Sequence, residues 1–217
     1  MGSVLTIASQ KGGAGKTTLC RVLLPTLARR GLAVACIDAD PNRGLADWLS
    51  LYDGPPVTLR AEADERALAR SPAELAASHD AVLVDTAGFG SRAMVVAIGA
   101  ADAVLIPCQP DRGAVREAAQ TAEWVSSLTA SVRREIPFRV VLVGFDARRA
   151  TDRYARAQLA DALHLPLLAS RLADRTAYQA LTWSGTLPQH GPVRQEAETL
   201  TDELMALGWL PRRAAAA

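Results

Sequence analysis

Residues 10–18 read Gln10-Lys11-Gly12-Gly13-Ala14-Gly15-Lys16-Thr17-Thr18 and follow directly on an apolar run, Val4–Ala8. Glycines at 12, 13 and 15 let successive backbone N–H groups curl around an anion without Cβ clashes. A helix predicted to open here and to run to about Arg30 adds its positive N-terminal end. In that setting Lys16 reaches the β- and γ-phosphates of a nucleotide, and the Thr17 hydroxyl ligates Mg2+. Gly12, Gly13, Ala14, Gly15, Lys16, Thr17 and Thr18 are the expected nucleotide-binding residues. Both lysines of the chain, Lys11 and Lys16, fall in this loop, while the other 22 basic residues are arginines. A general preference for arginine leaves that placement unexplained unless a compact ammonium is needed at those two positions.

Two acidic stretches complete the candidate site. Cys36-Ile37-Asp38-Ala39-Asp40-Pro41-Asn42 closes a second apolar run. Carboxylates at i and i+2 on a strand end point the same way, here toward the phosphate-binding edge. A third run, Ala81–Asp85, continues as Thr86-Ala87-Gly88. An apolar strand ending in Asp beside a phosphate loop is the pattern that holds Mg2+, so Asp85 is an expected metal residue. Thr86–Gly90 is then a loop able to sense the γ-phosphate.

Such residues need a sheet whose strands end together at one edge. Strands are predicted at Val4–Ala8, Ala33–Asp38, Ala81–Asp85, Ala103–Cys108 and Arg139–Phe145, with weaker candidates at Val57–Arg60 and Leu165–Ala169. They read as continuous Val/Ile/Leu/Ala, which a parallel sheet covered on both faces requires. Helical patterns lie between them, with apolar stripes over residues 113–130 and 192–208. The expected fold is α/β: a doubly wound, mainly parallel sheet with helices on both faces and its ligand at the strands' carboxyl ends. One domain is expected over residues 1–210, with a flexible tail at 211–217; Leu51–Ser78 is the least regular stretch.

The chain has 217 residues, 49% hydrophobic and 22% charged, which suits a folded domain and excludes a disordered one. No apolar run reaches the roughly 18 residues of a membrane span. Residues 3–9 lead straight into the glycine-rich loop, unlike a signal peptide, so a cytoplasmic protein is expected. Cys20, Cys36 and Cys108 stand singly in apolar runs and read as core residues, with no metal or redox spacing.

The loop departs from the common G-x-x-x-x-G-K-[ST] pattern, because Gln10 holds the first glycine position and Lys11 precedes the glycine pair. K-G-G-x-G-K-T-T is the deviant Walker signature, and by it the chain resembles the ParA/MinD family of P-loop ATPases. The likeness runs from Val4 to about Leu207. It is strongest to the small ParF-like branch of ParA proteins, through Asp174-Arg175-Thr176-Ala177-Tyr178 and Trp183-Ser184-Gly185. Asp38-Ala39-Asp40-Pro41-Asn42 stands where that family has D-x-D-P-Q, with Asn42 in place of Gln. Ile106–Pro110 and Leu142–Asp146 match the strand-end loop and the adenine-contacting stretch more loosely.

The resemblance implies ATP and Mg2+ as ligands and ATP-driven homodimerisation. It implies catalytic roles for Lys11, Lys16 and Asp40. Lys11 would reach across the dimer to the partner's nucleotide, and Asp40 would help position the attacking water and belong to the metal site with Thr17 and Asp85. Asp38 would lie near the metal or the dimer face. A weak intrinsic ATPase is implied, one that a ParB-like centromere-binding or adaptor protein stimulates.

ParA-type dimers also bind DNA without sequence preference through basic residues of this C-terminal half. The chain's net charge is only +1, but residues 147–194 carry seven arginines against three aspartates. Arg149, Arg153 and Arg156 fall on one stripe of a predicted helix, and Arg175 follows the next strand; these are the expected DNA-binding residues. Partition of DNA, with nucleoid association in the ATP state, is the expected function. A MinD-like membrane-surface switch is the alternative, although its amphipathic basic C-terminal helix is not evident in the acidic Thr199–Leu210, and no stable membrane association is expected. A nitrogenase-reductase-like protein would need cluster cysteines, and a dethiobiotin-synthase-like ligase would need a substrate signature; neither is found.

Overall fold

The computed structural model describes residues 1–88 and 92–212. Phe89 and Gly90 of the expected γ-phosphate loop, and residues 213–217 of the expected tail, lie outside the described residues.

Seven strands form one sheet: β1 (Ser3–Ile7), β2 (Val34–Ala39), β3 (Val57–Ala61), β4 (Ala81–Thr86), β5 (Ala103–Cys108), β6 (Phe138–Phe145) and β7 (Leu167–Ala173). Their order is β3-β2-β4-β1-β5-β6-β7, and every pairing is parallel. The chain winds outward from β1 to one side, returns, and winds to the other. The switch point therefore falls at the carboxyl end of β1, where a ligand of a doubly wound sheet sits.

The helices are α1 (Lys16–Arg29), α2 (Gly44–Leu49), α3 (Glu65–Leu68), α4 (Ser71–Ala76), α5 (Arg92–Ala100), α6 (Arg112–Val132), α7 (Ala150–Ala157), α8 (Thr176–Ser184) and α9 (Pro192–Ala206). A π-helical turn, Gln158–Ala162, extends α7. Alternate strand residues feed cores on the two faces of the sheet. Leu5, Ile7, Leu83 and Leu105 pack under α1 and α9 with Leu19, Leu23, Leu200 and Leu204. On the opposite face Val104 and Ile106 meet Ala118, Ala122 and Val125 of α6, while Val82 and Val84 meet Leu68 and Leu75. Because both faces are covered, β2, β4 and β5 are buried along their whole length, and this is what their unbroken apolar runs encode.

Two stretches differ from expectation. The weak candidate at Leu165–Ala169 is displaced, since β7 runs over Leu167–Ala173. As the outermost strand it is buried only on one side, with Leu168, Ser170 and Leu172 inward and Ala169 and Arg171 outward. The run ending at Ala169 captured only its apolar beginning. The irregular Leu51–Ser78 segment folds into β3 and the short helices α3 and α4. The open margin of β7 is closed by α9: Glu203 accepts from the N–H groups of Ala169 (2.8 Å) and Ser170 (2.7 Å), and Glu196 from that of Ala173 (2.9 Å).

Candidate active site

The loop between β1 and α1 needs two left-handed glycines, Gly13 at φ 73° and Gly15 at φ 104°. A Cβ at Gly15 would also stand 2.8 Å from Val143 Cγ1 of β6, so the position is closed to other residues twice over. Gly15 is the N-cap of α1 and offers no side-chain acceptor. The first-turn N–H groups of α1 therefore have no capping side chain, the condition under which a helix end takes up an anion. Above them opens a cleft of about 570 Å³, lined by residues 12–18, Asp40, Pro41, Asn42, Ala87 and Gly88.

Lys16 is buried, and its Nζ folds back over the loop to the carbonyl oxygens of Lys11 (3.3 Å) and Ser9 (3.4 Å). Burial lowers its pKa, while the charges of Asp85 and Asp40 act against that loss. Thr17 Oγ1 donates to Asp85 Oδ2 at 2.7 Å. Asp85 is buried, and its Oδ1 has no hydrogen-bond partner among the described residues. Burial first, and the nearby charge of Asp38 next, push its carboxyl up to about 7 against the Thr17 hydrogen bond and the Lys16 charge. Thr17 lines the cleft and bonds the buried Asp85. A hydroxyl so paired with a carboxylate whose other oxygen lacks a partner suits a hard divalent cation with oxygen ligands.

Asp38 pairs in register with Asp85, so it stands close to the candidate metal residues. Its oxygens, however, are committed elsewhere. Oδ2 accepts from the N–H groups of Leu45 (3.0 Å) and Ala46 (2.8 Å), and Oδ1 from that of Asp40 (3.1 Å). The two aspartates thus do not point the same way. β2 ends at Ala39, the chain turns, and only Asp40 reaches the cleft, where its Oδ1 accepts from the backbone and side-chain nitrogens of Asn42 (2.9 and 3.0 Å). Asp38 is the acceptor that seats the start of α2.

Lys11, unlike Lys16, takes its partner outside the loop and pairs with Asp111 Oδ2 at 2.7 Å. Asp111 is the N-cap of α6, its Oδ1 accepting from the N–H of Ala114 at 2.9 Å. Burial works against it, but the Lys11 hydrogen bond and the Ala114 N–H hold its carboxyl below the usual range. Asp111 is the residue that the sequence reading overlooked. The Asp two positions before Gly113, just after Pro110, is a helix-start signal that marks it as a cap.

The expected DNA face is assembled only in part. Arg149 precedes α7 as its N-cap and pairs with Asp174 at 2.8 Å; Arg175 pairs with Glu196 at 2.8 Å. Arg153 donates to the carbonyl oxygens of Ala147 (3.0 Å) and Arg148 (2.8 Å), and Arg156 is exposed with no ion pair among the described residues. The three cysteines are free and buried. Among the described residues no helix is long and apolar enough to cross a membrane.

A family model described as VirC1 protein matches residues 2–205. The chain belongs to the VirC1 family. Protein ParA of Rhizobium radiobacter is 32% identical to this VirC1-family chain over 181 residues, covering 82% of it and 81% of the relative. Protein virC1 of the same organism is 33% identical over 191 residues, covering 85% and 82%. The septum site-determining protein MinD of Pyrococcus horikoshii, solved with Mg-ADP, superimposes with a TM-score of 0.79 at 18% identity, covering 96% of this chain and 98% of MinD. The VirC1-family fold is thus that of the ParA/MinD-type P-loop ATPases, the family to which the likeness to Protein ParA also assigns the chain.

Proposed function

We propose that this chain is an ATP-driven switch that forms a homodimer on binding Mg-ATP, associates with DNA without sequence preference in that state, and is released when a ParB-like or adaptor partner stimulates hydrolysis. The observation that carries the reading is the cleft at β1. An uncapped helix N-terminus, the buried Lys16, and the Thr17–Asp85 pair with its orphaned oxygen converge there. Residues 12–18 would hold the phosphates, and Thr17 and Asp85, with Asp40 on the cleft wall, would hold Mg2+. The ion supplies charge neutralisation on the phosphate oxygens when bound.

Lys16 would leave the Lys11 and Ser9 carbonyls for its own protomer's phosphates. Asp40, the only carboxylate of its strand end that reaches the cleft, would orient water there. Lys11 is not part of its own cleft wall and is held by Asp111, so it would serve a nucleotide brought to it by a second copy. Arg153 and Arg156 would supply phosphate contacts; Arg149 and Arg175 reach that role only by exchanging their carboxylate partners. The likeness to Protein ParA supports a partition role, and a cytoplasmic, nucleoid-associated protein follows from the DNA reading.

Sedimentation on long non-specific DNA with ATP, ADP or no nucleotide tests the proposal. ATP-only cosedimentation is expected. Binding confined to anionic liposomes with ATP would replace DNA with a membrane surface as the partner.

A further inference from the structure

Arg21 is a cation to which the nucleotide reading gives no task. It lies on α1 beneath the phosphate loop, half-buried between α1 and α2. Its Nη2 donates to the carbonyl oxygen of Gly44 at 2.8 Å, and its guanidinium carbon is 6.0 Å from the centre of the Trp48 ring. Nε is buried with no hydrogen-bond partner among the described residues. Burial of this partly satisfied guanidinium is unfavourable. The charge of Asp85, and after it that of Asp38, act against that cost, and the Gly44 contact takes up one of its donors.

What it fixes is a strained turn. Gly44 opens α2 directly after Arg43, a non-glycine residue in the left-handed region at φ 53° and ψ 31°. Such a conformation persists only where its flanks are held. One flank is Asp40, whose carbonyl oxygen accepts from Arg43 N at 2.9 Å and whose side chain lines the cleft. The other is the first turn of α2, gripped by Asp38 through the N–H groups of Leu45 and Ala46 and by Arg21 through the Gly44 carbonyl. Asp38 holds the N–H groups and Arg21 holds a C=O, so together they fix both the position and the rotation of that turn.

We propose that Arg21 is a positioning residue for Asp40: by holding the Gly44 carbonyl it keeps Arg43 left-handed, and that turn sets where Asp40 stands against the phosphate loop. The role rests on the ATPase reading of the cleft. Without the Gly44 contact, Arg43 relaxes toward negative φ and carries the Asp40 end of the turn with it.

The test compares wild type, Arg21→Met, Arg43→Gly and the double variant. The readouts are hydrogen–deuterium exchange over residues 40–46, affinity for a fluorescent ATP analogue, and single-turnover hydrolysis of Mg-ATP. Arg21→Met keeps an apolar stem against Trp48 and removes every donor. It is expected to speed exchange over 40–46, to leave affinity within about twofold, and to slow hydrolysis on the order of 10- to 100-fold, the scale of a misplaced catalytic group. Arg43→Gly alone is expected to behave as wild type. In the double variant hydrolysis is expected to return, because glycine takes φ 53° without a Cβ penalty and the turn no longer needs its brace.

Rescue of this kind separates positioning from mere packing, which Arg43→Gly would not restore. Unchanged exchange and hydrolysis in Arg21→Met would overturn the proposal, as would a double variant no better than the single. If Arg21→Met does not fold, Arg21→Lys, which keeps the charge and loses the Nη2 donor, is read against the same outcomes. A wild type that binds but never hydrolyses Mg-ATP sinks the ATPase reading, and the exchange comparison still decides whether Arg21 holds the turn.

Discussion

Thr17 and Asp85 are 68 positions apart in the chain, yet Thr17 Oγ1 donates to Asp85 Oδ2 across 2.7 Å at the carboxyl edge of the sheet. The contact joins the start of α1 to the end of β4 and leaves the second oxygen of a buried carboxylate without a partner among the described residues.

That carboxylate gives a pH dependence. Burial raises the Asp85 pKa to about 7, above the ordinary carboxylate value near ~3.9. The folded state holds a proton there that the unfolded state has released. This contribution to stability is complete below about pH 4 and is lost as pH rises through about 7. Asp85→Asn keeps an acceptor for Thr17 and removes the charge. Denaturant unfolding of the ligand-free protein is expected to show the variant more stable at pH 8, on the order of 2–4 kcal/mol, with no gain at pH 4. Its Mg-dependent nucleotide affinity is expected to fall. A variant less stable than wild type at pH 8 would show that Asp85 is not held at a cost.

The two lysines should separate. Lys16→Ala removes the ammonium buried within the loop and is expected to weaken nucleotide binding itself. Lys11→Ala should leave monomeric affinity within a few-fold, and it should abolish ATP-dependent dimerisation and partner-stimulated hydrolysis, an effect on the order of 10³ or more for a charge supplied in trans. Its ion pair with Asp111 is part-exposed, so stability should change by less than about 1 kcal/mol. Analogue titration and analytical ultracentrifugation decide. A Lys11→Ala protein that dimerises and hydrolyses normally makes Lys11 an incidental surface residue.

Asp40→Ala removes the one strand-end carboxylate that faces the cleft while leaving Asp38 to hold α2. ATP binding should survive and hydrolysis should be lost, so dimers should accumulate and dissociate slowly in light scattering. Wild-type turnover in this variant would remove Asp40 from the reaction.

On the basic face the ion pairs rank the arginines. Arg153→Glu with Arg156→Glu should weaken ATP-dependent DNA retention sharply without touching nucleotide affinity. Wild-type binding should fall steeply with salt, each lost phosphate contact contributing about 0.9 to the log–log slope. Arg149→Glu and Arg175→Glu each set a like charge beside Asp174 or Glu196 and should also lower the melting temperature slightly. Salt-sensitive retention that survives in the Arg153/Arg156 double variant would place the DNA face elsewhere.

Six strands were legible to within one residue. For the inner ones this is because a run covered on both faces must be apolar, as Ala103–Cys108 shows without remainder. The half-exposed edge strand β3 was only a weak candidate. β7 was displaced because an edge strand alternates, and Arg171 interrupts its pattern. Lys16, Thr17 and Asp85 were readable since their spacing is local to a strand end. The parting of Asp38 and Asp40 was not, because it depends on a turn through Arg43 whose left-handed backbone no residue type announces. Contacts across long separations, Lys11 with Asp111 and Arg175 with Glu196, leave no trace in either segment alone.

The carboxylates of Glu196 and Glu203 on the margin of β7 bear on what that edge can pair with. A strand arriving at that margin finds three main-chain donors already occupied and two acidic side chains in its path. The sheet is finished there by a neighbouring helix, and it offers no ladder on which another molecule could continue. If two copies join as proposed, they would have to do so through side chains and not by extending the sheet at this margin.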